Sequence, residues 1–257
     1  MKDYYQIDAV SASLLKRVIK QSPLHAEESM KPSEGTPAMR MGTAFHASVL
    51  EVENWEELIA VSPAVDRRTK AGKAEYAEFA ETSVGKTIIT PDQDFAIQQM
   101  KENILLHPEA FDLLEDCTAT EFQTTFEFDG MDCKAMIDLC GENVIVDLKT
   151  TQDASPDAFM KSSANWLYHM QLAWYANAMG MELDEVDAYI IAVENVAPYQ
   201  VAVYRFSADA LDQGFKLCMD GMKKWKQYKL QKSVGNKVLA YGSDVKDLDL
   251  PAWARRD

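Results

Sequence analysis

Asp138, Asp147 and Lys149 are the residues of this 257-residue chain whose types and spacing could do chemistry. They lie in the stretch 135–150, which reads as two short apolar strands around a Gly141-Glu142-Asn143 turn. Each strand delivers a carboxylate near its C-terminal end, and the second adds a lysine two residues later. Side chains alternate along a strand, so Asp147 and Lys149 project from one face. A hairpin brings Asp138 beside them. Two carboxylates and an ammonium at a sheet edge can hold a divalent metal against a phosphodiester. Carboxylate oxygens suit Mg²⁺ or Mn²⁺. Such a metal polarises the phosphoryl oxygen and acidifies its water, and a lysine offsets the charge developing around phosphorus.

The triplet Asp-x-Lys decides nothing by itself. Among 41 acidic and 26 basic residues it arises by chance, and a solvated strand end is its ordinary reading. Context alters that. Ile145 and Val146 make a buried strand, and a charge placed directly after them costs stability unless it is paired or metal-bound. Two helices flank the strands. Upstream, Gly42 and His46 lie with Ala44, Phe45, Val49 and Leu50 on an amphipathic helix. Gly42 permits another backbone to approach closely, and a lone histidine on such a face is ordinarily a hydrogen-bonded core residue. Downstream, Gln171 and Tyr175 stand at i and i+4 on one helix face. Trp166, Leu167, Met170 and Trp174 supply the apolar stripe. Seen alone, Gln171 and Tyr175 are an ordinary boundary pair.

In order, Gly-x-x-x-His, Asp, Asp-x-Lys and Gln-x-x-x-Tyr resemble the RecB-like branch of the PD-(D/E)xK nuclease superfamily. Three further stretches are similar to the nuclease domains of phage and prophage exonuclease VIII (RecE-type). They are Ser11 to Lys16 followed by Ser22, Pro23 and His25; the run 66–73; and Val146 to Thr151 with Ala154, Ser155 and Phe159. The resemblance spans roughly residues 4 to 230. Ile137 stands where the superfamily name has proline.

The resemblance implies an α/β fold with a restriction-endonuclease-like core, a mixed central sheet flanked by helices. It implies that Asp138 and Asp147 are ligands of Mg²⁺, for which Mn²⁺ substitutes, joined by the Leu148 carbonyl and approached by His46. Lys149 becomes the catalytic lysine. Gln171 and Tyr175 orient the lysine or the scissile phosphate, and Glu121 serves as a carboxylate behind the ligands or for a second metal. The implied activity is a metal-dependent exodeoxyribonuclease that resects one strand of linear duplex DNA from a 5′ end for homologous recombination. A phage or prophage gene in a bacterial cytoplasm, a single-strand annealing partner and a ring-shaped homo-oligomer are implied with it. The residues alone leave open an endonuclease or repair nuclease without an end requirement, and a catalytically silent acidic DNA- or protein-binding module on the same fold.

The net charge of −15 is the main objection to a DNA enzyme, since nucleic-acid binding usually shows a basic face. Net charge is not charge distribution, however. Bases gather at Arg67, Arg68, Lys70 and Lys73, where Gly72 and small residues make a loop able to touch phosphate. They gather again at 223–232, which reads either as a solvated face or, with Trp225 and Tyr228, as one that also packs. Acids crowd 51–57, 109–121 and 244–249. An acidic exterior around a basic channel repels DNA from every wrong approach. Cys117, Cys133, Cys140 and Cys218 lack C-x₂-C spacing and read as buried reduced thiols, without the clustered cysteines of an iron–sulfur site. No apolar run reaches the ~18 residues of a membrane span, and the first residues lack a secretory apolar core.

The remaining sequence must supply the scaffold. Helices are expected over 11–20, 39–51, 73–83 and 92–106, the last opened by Pro91. Pro23 is expected to follow the end of the first. A hairpin pairs 121–128 with 131–139 through Asp129-Gly130, and 144–150 is the central strand. One short and one long helix fill 155–180. Strands follow at 186–194 and 199–206, then a long helix from Ala208 to about Leu230. One domain of residues 1–240 is expected, with a polar tail over 241–257 that is either mobile or docked through Trp253.

Overall fold

The computed structural model describes residues 4–31, 35–251 and 254–255, so Trp253 lies outside them. In chain order the elements are α1 (Ala12–Lys20), α2 (Pro23–Ser29), α3 (Pro37–Leu50), the single turn α4 (Trp55–Leu58), β1 (Ile59–Val61), α5 (Lys70–Thr82), β2 (Thr87–Ile89), α6 (Pro91–Leu106) and α7 (Pro108–Asp116). The hairpin β3 (Ala119–Phe128) and β4 (Met131–Cys140) and the strand β5 (Val144–Thr151) follow. Then come α8 (Pro156–Trp166), α9 (Tyr168–Met179), β6 (Asp187–Glu194), β7 (Val201–Arg205) and α10 (Ala208–Ser233).

The main sheet runs β3-β4-β5-β6-β7. Only β5–β6 pair in parallel, because α8 and α9 form the crossover between them; the other pairs are antiparallel. Helices cover both faces, as the alternation of apolar residues requires. Ile145, Ala188, Ile190 and Ala192 pack into one core with α1, α9 and α10. Val146, Leu148, Ile191 and Val193 pack into a second core with α3 and α6. The fold is therefore the expected α/β sandwich around a mixed sheet. In the first core Trp174 is fully buried, its rings 5.2 Å from Phe126 and 5.9 Å from Phe128, and its indole N–H donates to the Lys134 carbonyl. Truncating such a residue to alanine costs about 3–5 kcal/mol.

Several local expectations are corrected. Pro23 does not merely follow α1; it opens α2, whose cap is Ser22. α5 starts at Lys70 because the Thr69 side chain caps it, accepting the Gly72 N–H, so Lys70 and Lys73 stand on a helix, not in a loop. The parallel pair β1–β2 and helix α7 add to the expected elements. α8 and α9 are nearly equal, 11 and 12 residues, and break at Leu167, which adopts a left-handed φ of 55°. Trp166 consequently ends α8 exposed, under the Lys20 ammonium, and leaves the apolar stripe. A Cβ at Gly42 would meet nothing, so no backbone approaches there. The close approach is at Gly214 of α10, where a Cβ would lie 2.3 Å from the His169 carbonyl oxygen of α9. Cys117 is only half-buried; the other three thiols are buried and all four are free.

Candidate active site

β4 and β5 pair at only two positions, Leu139 with Val146 and Cys140 with Ile145. Beyond these the ladder opens at Asp138. The Asp138 carboxylate takes over as acceptor there, receiving the Leu148 N–H at 2.8 Å. The neighbouring strand is disturbed at the same level. Glu121, opposite Asp138 in the β3–β4 register, has a left-handed φ of 46°, a conformation a glutamate adopts only at a cost in strain. β4 turns as well, since Ile137 packs into the first core and Leu139 into the second. Three carboxylates and a lysine thus meet where the sheet is opened between its two cores.

Each core contributes one helix to the opening. From the second, α3 presents His46. Its Nε2 lies 3.1 Å from the Leu148 carbonyl oxygen, and its Nδ1 faces Asp138 Oδ2 at 3.6 Å and Glu121 Oε1 at 3.9 Å. A carbonyl only accepts, so Nε2 carries a proton there, and Nδ1 is the nitrogen turned toward the carboxylates. One ligand atom each of His46, Glu121 and Asp138 lie within 4.8 Å of one another, close enough to share one cation. From the first core, α9 presents Gln171, whose Nε2 donates to Asp147 Oδ1 at 2.8 Å and to the Tyr175 hydroxyl at 2.7 Å.

Asp147 is 1% exposed, and its second oxygen touches the Lys149 ammonium. Lys149 also reaches the Leu148 carbonyl at 3.3 Å. Burial alone would lower Lys149; the Asp147 and Asp138 carboxylates outweigh it and hold the ammonium protonated. Burial pushes the Glu121 carboxyl up to about 7, with Asp138 and Glu51 adding repulsion. Acidic residues in excess of their cations, with a raised carboxyl among them, are what a divalent cation neutralises. The donor set of carboxylates, an imidazole and a carbonyl fits Mg²⁺ or Mn²⁺.

The candidate residues are therefore brought together in unequal measure. His46, Asp138, Asp147, Leu148, Lys149, Gln171 and Tyr175 converge, and Glu121 stands within the three-ligand cluster rather than behind it. Asp147 is not in that cluster, being held by Lys149 and Gln171. The four bases of 67–73 do not join them. Arg67 lies over the Tyr76 ring at 3.9 Å, Arg68 pairs with Asp66, and Lys70 and Lys73 are exposed. Arg67 does line a groove of about 1010 Å³ with Arg40 and Lys86. At 223–232, Trp225 and Tyr228 are buried while Lys224, Lys226 and Lys232 pair with Asp220, Asp129 and Glu27, so the face packs. One site residue escaped the sequence reading. Lys16 of α1 donates to Gln171 Oε1 at 2.5 Å, and burial with repulsion from Lys149 lowers it to about 7.

A family model described as "PDDEXK-like domain of unknown function (DUF3799)" matches residues 11–236. The chain belongs to this family. The PDDEXK-like fold is shared with a protein from Eubacterium rectale named "Putative exonuclease", at 13% identity and a TM-score of 0.58, covering 95% of this chain and 91% of that one. A phage related exonuclease from Haemophilus somnus 129PT matches at 12% identity over 87% of this chain and 96% of that one, with a TM-score of 0.36. No curated protein matches this chain. Among the described residues no helix is long and apolar enough to cross a membrane.

Proposed function

We propose that this PDDEXK-like chain is a metal-dependent DNA exonuclease that resects one strand of linear duplex DNA, 5′ to 3′, in homologous recombination. The observation that carries the reading is the convergence of Asp138, Asp147 and Lys149 with His46 and Gln171 at the opened end of β4–β5. A divalent metal held by Asp138, Asp147 and His46, with Glu121 and the Leu148 carbonyl, supplies Lewis acidity and an acidified water. The protein's own groups do the rest. Lys149 keeps a protonated ammonium at the site to offset charge on the phosphate oxygens. Gln171 fixes Asp147 through Oδ1, and Tyr175 braces Gln171. The shared fold with the Eubacterium rectale protein, and that protein's name, support the exonuclease reading; polarity, recombination and a phage or prophage origin rest on the sequence resemblance.

DNA contact falls to the bases nearest the groove: Arg67 with Arg40 and Lys86, and Lys70 and Lys73 on the first turn of α5, with Arg68 beside them once released from Asp66. A homo-oligomeric ring and a single-strand annealing partner complete the proposal. The test is hydrolysis of linear against closed circular duplex, with Mg²⁺ and with EDTA. Metal-dependent release of nucleotides from linear duplex alone is the expected result. Cutting of the closed circle makes the chain an endonuclease, and no hydrolysis of either makes it a binding module.

A further inference from the structure

Among the described residues, Gln171 is the side chain that ties Asp147 to the helical layer, and it can be seated in two ways. A carboxamide has an acceptor end and a donor end of nearly equal size, and only its neighbours decide which points where. Asp147 needs donors. If the amide were turned over, its oxygen would face the Asp147 carboxylate, and two acceptors would be buried against each other. Tyr175 does not settle the matter, because a hydroxyl both donates and accepts. The far end of the amide settles it. There, α1 lays the Lys16 ammonium against Gln171 Oε1, across 155 residues of sequence. In its ammonium form Lys16 has donors and no acceptor, so it pairs only with the oxygen end. Both amide hydrogens are then committed to Asp147 Oδ1 and the Tyr175 hydroxyl. The Tyr168 ring centroid lies 5.2 Å from the Lys16 ammonium and holds it on this side of the site.

We propose that Lys16 is a positioning residue of the metal site: it fixes the polarity of the Gln171 amide and, through it, the orientation of Asp147. The inference rests on the proposed reading of Asp147 as a metal ligand. It separates from a purely electrostatic role by sign. If Lys16 acted on the metal as a nearby positive charge, its removal would strengthen metal binding. If it acts by orienting Gln171, its removal weakens binding, on the ~10- to 100-fold scale of losing a group that orients a ligand.

The experiment is Mn²⁺ binding to the full chain by calorimetry, with folding followed by circular dichroism. Wild type is compared with Lys16→Met, Lys16→Arg, Gln171→Ala and the double variant Lys16→Met/Gln171→Ala. Lys16→Met should weaken Mn²⁺ binding about tenfold or more, and Lys16→Arg, still donor-only, should restore most of it. In the Gln171→Ala background Lys16→Met should have no further effect, since the group it acts through is gone. Unchanged or tighter binding in Lys16→Met, or full additivity in the double variant, overturns the proposal. Lys16→Gln, which donates but can also accept, replaces Lys16→Met if the latter does not fold; it should show a smaller loss, and no loss overturns the proposal equally. Failure of the site reading looks different: Asp138→Ala would then bind Mn²⁺ as wild type does, and the Lys16 proposal would fall with it.

Discussion

A carboxylate that is 1% exposed, touching a buried ammonium, is an expensive pair to keep unless it does something else. Asp138→Ala or Asp147→Ala should abolish hydrolysis, in an assay on linear duplex, while circular dichroism shows the fold intact. Lys149→Ala should lower turnover by at least roughly 10²-fold, the scale of one lost electrostatic contact in the transition state, with DNA affinity little changed. Equal losses in binding and turnover would instead put Lys149 in ground-state recognition. Glu121 carries a second prediction. Its left-handed φ and its repulsion by Asp138 and Glu51 are both relieved by Glu121→Gly. Relief of about 1–2 kcal/mol of strain should raise the thermal midpoint in metal-free buffer; a fall would mean that the side chain's own contacts hold β3 in place. Asp138, Asp147 and Lys149 were legible in the sequence because their types are rare directly after a buried apolar run. Lys16 was not, because one base among 26, on an amphipathic helix, looks like any solvated lysine. Only packing against α9 distinguishes it.

Elements reproduce the expected order wherever apolar periodicity and a cap agree. The hairpin β3–β4 turns at Asp129 and Gly130, both at positive φ, and α6 opens with a full capping box at Thr90 and Gln93. Short elements escaped because tertiary contacts make them. α2 is seven residues long, and the Tyr228 hydroxyl and Lys232 ammonium of α10 reach its Glu27 at 2.5 and 2.6 Å. Those two donors hold the Glu27 carboxyl below its ordinary value of 4.5. A lowered folded value means stability that is present above pH 4.5 and disappears as pH falls through the lowered value. Glu27→Gln should therefore lose stability at neutral pH and converge with wild type in acid. Urea midpoints across that range check it, and a constant difference at every pH would show that the tie is not ionic. The break at Leu167 was illegible for a related reason: no glycine or proline marks it.

Across the whole molecule, the charge of −15 constrains how DNA can be met. Arg40, Arg67 and Lys86 line one groove, brought together from three stretches separated in sequence. That grouping could not be read from the run at 67–73, where Arg68 turns back to Asp66. If the groove carries the phosphate backbone, Arg40→Ala with Arg67→Ala should flatten the slope of log K against log salt by nearly 2, at about 0.9 per contact. An unchanged slope would move the DNA to another face. A net charge of −15 with Arg40, Arg67 and Lys86 sharing a groove also suits a ring with its bases inside. Light scattering at micromolar protein should then find a homo-oligomer, and a monomer of 28.9 kDa with and without DNA and Mg²⁺ would leave an open cleft on each subunit.

The bond from Lys16 to Gln171 has a consequence in time as well as in space. The two residues are 155 apart, among the longest loops this chain closes. The entropy of closing a loop rises with its length, so this tie forms only once α1 and α9 are brought together by the fold. During synthesis Asp138 and Asp147 join the chain before α9 does. Until then two carboxylates face each other with no amide to orient one and no buried lysine to orient the amide. On the proposed reading, a chain in that state has an incomplete metal site, and hydrolysis waits on the packing of α1 against α9.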